Sequence, residues 1–159
     1  MWFGISVFLI ALTIGVSIGV SRWKKIKTLR EEGKIILRDS RYAEQGEVFT
    51  SRIGSYGALK QALEHRGIPC TAEGSTATQI LFSGTGFRAR LCRQAFDAES
   101  GVGVYRFEFT SWRTGSYGYQ NETGMNMLLT TVERAFLDLD PKTGVTSYDL
   151  QLRTKHTLF

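Results

Sequence analysis

Residues Trp2 to Val20 contain no charged side chain, and Arg22, Lys24, Lys25 and Lys27 follow immediately. A 19-residue apolar run at about 1.5 Å per residue covers about 28 Å as a helix, close to the ~30 Å hydrocarbon core of a bilayer. In lipid every backbone polar group must pair within the segment, so a single span has to be helical. Trp2 and Trp23 flank the run, where indole rings favour the headgroup region. The pattern predicts a single transmembrane helix over residues 1–21. Two other readings stand beside it. One is a cleaved secretory signal with a small-residue site around Ser17 and Gly19, although no basic side chain precedes the run. The other is a buried core helix, unusual for an uncharged run of this length in so short a chain.

Residues 22–45 read as a basic juxtamembrane stalk. A helix from Ser21 to Arg38 fits, weakened at Gly33, with Glu31 and Glu32 able to pair with Lys27 and Lys34.

Beyond the stalk the periodicity alternates between 3.6 and 2. Ser55 can cap a helix to Arg66, with Tyr56, Leu59 and Leu63 on one face and Gly67 as its stop. A second helix starts near Asn121, spaces Met125, Leu128, Leu129, Val132 and Phe136 helically, and ends before Pro141. Strands are predicted at 47–52, 68–73, 76–82, 87–96, 102–113 and 145–154. Tyr105, Phe107 and Phe109 share one face, and Tyr148, Leu150 and Leu152 share another. The order β-α-β-β-β-β-α-β over residues 46–159 predicts one α+β two-layer sandwich: an antiparallel or mixed sheet with both helices on one face. The opposite face would carry Arg88, Arg90, Arg106, Glu108, Gln151 and Arg153.

Charge sharpens this picture. The formal net charge of +5 lies entirely in residues 21–41, which hold eight basic and three acidic residues; residues 42–159 hold twelve of each. The domain therefore lacks the net positive field that drives nucleic-acid binding. The basic cluster instead suits anionic lipid headgroups, at about 1 kcal/mol per side chain. Arg22, Lys24, Lys25 and Lys27, with Trp2 and Trp23, form the expected membrane-interface set. Positive-inside bias puts the amino terminus outside and the domain in the cytoplasm. Ala11, Gly15 and Gly19 line one helix face in the small-xxx-small spacing that lets membrane helices pair, so a homodimer or a membrane complex is expected.

Chemistry-bearing motifs are few. The Gly115–Asn121 segment places tyrosines before a helix amino end, where free amides favour anions, so Arg113, Tyr117, Tyr119 and Asn121 form a candidate ligand site, with Glu122 beside them. The bland reading packs the tyrosines on the sheet. Asp138–Gly144 resembles a calcium loop only briefly, since Lys142 replaces an oxygen ligand; it reads as a turn. Cys70 and Cys92 face each other if their strands pair, and stay thiols in a reducing cytoplasm. His65 suits a helix carboxyl end, and His156 has no catalytic partner. No metal or cofactor is called for. The expectation is a membrane-anchored protein presenting a small cytoplasmic domain for interaction or sensing, without a catalytic set. A membrane-tethered enzyme or ligand-binding domain using residues 115–121, and a secreted domain released by signal cleavage, are the alternatives.

Overall fold

The computed structural model describes residues 2–68, 71–73, 78–115 and 118–150, with the side chains of 2–15, 18 and 71–73 outside that description. The chain divides into two compact units, one ending at Ile36 and one starting at Leu37.

The first unit is a continuous helix, α1 (Trp2–Glu31). It stops earlier than the Arg38 end expected from sequence. Gly33 adopts φ 65°, its N–H donates to Arg30 O (2.9 Å), and the Lys34 N–H donates to Leu29 O (2.8 Å). That closure needs a left-handed residue, which glycine supplies without a Cβ penalty. Among the residues searched, no helix is long and apolar enough to cross a membrane. Most of the predicted span lies outside the described side chains, including Trp2, Ala11 and Gly15. Val16, Val20, Trp23 and Ile26 are exposed along the described part of α1.

The second unit is an α+β sandwich. Its elements are a 3-10 turn (Tyr42–Glu44), β1 (Gln45–Ser51), α2 (Tyr56–Arg66), β2 (Thr71–Glu73), β3 (Gln79–Gly84), β4 (Phe87–Asp97) and β5 (Val102–Trp112). A two-residue hairpin follows, β6 (Thr114–Gly115) with β7 (Gly118–Tyr119), then α3 (Glu122–Leu139) and β8 (Gly144–Asp149). The described strands of the main sheet lie in the order β2-β3-β4-β5-β1-β8, with every neighbouring pair antiparallel. The compact unit begins ahead of the boundary expected at residue 46, because Tyr42 and Ala43 are buried in its core.

Local signals explain most boundaries. Ser55 Oγ accepts the Ala58 N–H at 3.4 Å to cap α2, and Gly67 at φ 70° ends it. Asn121 Oδ1 accepts the Gly124 N–H at 3.1 Å and opens α3. Both helices cover the face carrying Phe49, Tyr105, Phe107 and Phe109. Phe49 stacks on Phe136 with 4.3 Å between centroids, and the Tyr56 hydroxyl donates to Leu91 O at 2.8 Å. Each such aromatic stabilises the core by several kcal/mol relative to alanine, on the order of 3–5.

One predicted face is reversed. Tyr148 was expected on the core side of the last strand but lies on the side facing away from the helices. Its register partner is Gly46, and its hydroxyl donates to Glu108 Oε2 at 3.1 Å. Gly46 makes this work: a Cβ there would overlap the Tyr148 ring. Of the other residues expected beside Tyr148 and on the opposite face, Leu152, Gln151 and Arg153 lie outside the described residues.

Candidate functional site

The densest chemistry in the domain is a buried acid pair clamped by one guanidinium. Arg38, just ahead of the 3-10 turn, donates Nη1 to Glu133 Oε1 (3.0 Å) and Nη2 to Glu133 Oε2 (2.5 Å). Its Nη2 also donates to Thr130 Oγ1 at 3.3 Å, and Nη1 lies 3.5 Å from Glu47 Oε1. The side chains of Arg38 and Glu47 are only 9% and 11% exposed. Three elements thus meet at one point: the approach to β1, β1 itself and α3. Thr130 in turn donates to Asn126 Oδ1 at 3.1 Å, extending the polar line along α3.

The electrostatics follow from burial. Taking a carboxylate from water disfavours its charged form, and a facing carboxyl disfavours it further. Glu47 is pushed up to about 8 by burial first, then by the charge of Glu133, against the pull of Arg38. Near neutrality Glu47 keeps its proton. One carboxylate and one guanidinium then remain, a balanced set in a region too dry to hold a net charge cheaply. Arg38 Nε and Glu47 Oε2 are buried with no hydrogen-bond partner. This cluster was not anticipated from sequence. The available signal was Glu47 itself, a charged residue in phase with Phe49 on the core face of a strand.

A second charged group lies on the opposite sheet face. Glu108 is buried beneath Arg90 and Arg106. Arg90 pairs with its Oε1, and Arg106 Nη2 lies 2.9 Å from its Oε2. Arg106 stacks over the Tyr148 ring at 4.5 Å and bonds the Tyr148 hydroxyl. Burial, then Glu108, pushes that hydroxyl up to about 12. Arg88 and Arg90 are exposed on the same face, as the strand alternation predicted.

The loop set named from sequence is placed as follows. Tyr119 packs edge-on against Tyr42 (5.5 Å) and Trp112 (6.2 Å). Asn121 is occupied as the α3 cap, and its Nδ2 donates to Thr85 O at 2.9 Å. Arg113 is exposed, with its N–H donating to Gly86 O and its carbonyl accepting from the Gln120 N–H, both at 2.9 Å. Tyr117 lies outside the described residues. Burial drives Tyr119 above its ordinary range, which fits a ring used for packing.

The remaining motifs resolve simply. Asp140 Oδ2 accepts from the Arg52 N–H (2.8 Å) and Ser51 Oγ (3.0 Å), and its Oδ1 accepts from the Lys142 N–H (3.0 Å). Those backbone donors hold its carboxyl below the usual range. This is the turn that ends α3. Cys92 is a half-buried free thiol raised by burial, and Cys70 lies outside the described residues. Among the described residues no cluster of three His, Cys, Asp or Glu side chains could hold a metal ion. The basic interface residues Arg22, Lys24, Lys25 and Lys27 are exposed on α1, and Lys27 Nζ sits 5.7 Å from the Trp23 ring centroid. Gly19 has open space where a Cβ would lie.

No protein-family model matches the chain, and no curated protein or solved structure is significantly similar to it.

Proposed function

We propose that the protein is a single-pass membrane protein whose apolar amino-terminal helix holds a small cytoplasmic α+β domain at the membrane for interaction or sensing. The observation that carries this reading is the uncharged run 2–20 followed directly by Arg22, Lys24, Lys25 and Lys27. The exposure of Val16 (58%) and Val20 (46%) on α1 supports it, since apolar helix faces seek lipid or a partner helix. A 30-residue helix is about 45 Å long, so a span of about 30 Å leaves its basic turns at headgroup level. The domain's buried charges are tied into structural clusters, which favours an interaction module over an enzyme.

The test is extraction of native membranes with alkaline carbonate, combined with protease protection of a carboxyl-terminal tag. Retention in the pellet with the tag protected in intact cells and cut in inverted vesicles is expected. An uncleaved chain released into the soluble fraction, or a tag cut in intact cells, refutes the placement. A mature chain beginning after Gly19 would instead identify a secreted domain.

A further inference from the structure

The two edges of the main sheet differ. β2 is three residues long, whereas β8 has six residues, is exposed at five of them, and carries no lysine, proline or bulge. Natural sheets blunt their edges with such devices because an open edge templates strand addition. Among the described residues no strand pairs with the outer side of β8.

The backbone pattern says which groups that edge offers. Leu150 donates its N–H to Glu44 O at 2.9 Å, continuing the register Gln45↔Asp149 and Gly46↔Tyr148. Hydrogen-bonded pairs alternate in an antiparallel ladder, so Tyr148, Thr146 and Gly144 direct their N–H and C=O groups toward β1. Val145, Ser147 and Asp149 direct theirs outward.

We propose that β8 pairs antiparallel with β8 of a second copy of this chain, about a two-fold axis through Ser147, joining two sheets into one. In this register Ser147 faces Ser147 of the second copy, and Val145 faces its Asp149. Each outward residue then exchanges both backbone bonds with its opposite. The strand suits itself in particular. Its single charge meets a valine, so no like charges oppose each other, and Thr146 meets Tyr148 as a β-branched/aromatic pair. A two-fold pairing is isologous and closes at the dimer, which removes the open edge. The inference rests on reading the domain as an interaction module and names its partner; it does not need the membrane anchor. Where that anchor holds, two tethered domains meet at an effective concentration on the order of millimolar, so a modest edge contact suffices.

The experiment uses the full chain in native membranes, in a Cys70→Ser/Cys92→Ser background. Ser147→Cys, Thr146→Cys and Val145→Pro/Ser147→Cys are each oxidised with copper phenanthroline and run on non-reducing gels. Ser147 Cα atoms across the axis would be about 5.5 Å apart, within disulfide reach, whereas the two Thr146 Cα atoms would be about 8 Å apart, beyond it. Crosslinking at 147 should exceed that at 146 by about fivefold or more. It should fall to the level at 146 in the proline double variant, which removes the outward N–H of residue 145 and spares the N–H groups that bond β1. Circular dichroism of each purified variant checks folding. Absence of the 147 crosslink in the folded protein overturns the proposal, as does equal crosslinking at 146 and 147. Failure here with retained membrane association leaves the placement standing, and capture of a different protein on β8 leaves the interaction-module reading standing.

Discussion

Replacing Glu47 by glutamine should stabilise the protein at neutral and alkaline pH. Glu47 faces Arg38 from the approach to β1 and Glu133 from α3, in a site where its side chain is 11% exposed. Its ordinary value is 4.5 in the unfolded chain and about 8 in the fold. Between these values the folded protein binds more protons than the unfolded one, so stability falls as pH rises. The stability associated with protonated Glu47 is complete below the unfolded value and lost as pH climbs through the folded one. The slope is about 1.4 kcal/mol per pH unit, or roughly 3–4 kcal/mol between pH 5 and pH 8. Glutamine copies the protonated acid: its amide can donate toward Glu133 while its oxygen faces Arg38. Glu47→Gln should therefore match the wild type near pH 5 and exceed it by roughly 2–4 kcal/mol at pH 8, with a flattened profile. Urea unfolding of the detergent-solubilised chain, followed by tryptophan fluorescence at several pH values, measures this. A wild-type stability that holds level or rises from pH 5 to pH 8, or a variant that tracks it, refutes the reasoning.

Arg38→Ala leaves two facing carboxyls without their cation and should cost about 3–5 kcal/mol at pH 7, read by the same unfolding curves. Gly46→Ala drives a Cβ into the Tyr148 ring and should lower the melting temperature; in a double-mutant cycle Tyr148→Ser should recover most of the loss. Asn121→Ala removes the α3 cap and the bond to Thr85, and should cost about 1–2 kcal/mol by thermal melting.

Both domain helices and the succession of the main strands along the chain were legible because their signals are local, whereas the place of β1 between β5 and β8 was not. Ser55, Gly67 and Asn121 mark ends through their own backbone chemistry, and Tyr105, Phe107 and Phe109 alternate cleanly. The side taken by Tyr148 was not legible. An exposed edge strand has no apolar face to set its phase, so the register against Gly46 decides it. The acid cluster was hidden for a related reason. Glu133 lies far along the chain from Arg38 and Glu47, and only the β1–α3 packing brings it to them. The early stop of α1 turned on Gly33, recognised as a weakness but acting as a terminator. Of the residues named for a ligand, Tyr119 packs against Tyr42 and Trp112 and Asn121 caps α3, the roles that the packing alternative gives a helix-entry loop.

The sheet order also bears on synthesis. β1, made first, sits between β5 and β8, made last. Its first neighbour emerges about 50 residues later, a delay of several seconds at roughly 5–20 residues per second. During that interval a strand bearing Val48 and Phe49 waits with both ladders unfilled, and the sheet is complete only when β8 leaves the ribosome. Carboxyl-terminal truncations that reach β8 should consequently yield nascent chains that engage chaperones and are cleared by proteases, even though every helix and most of the core residues are present.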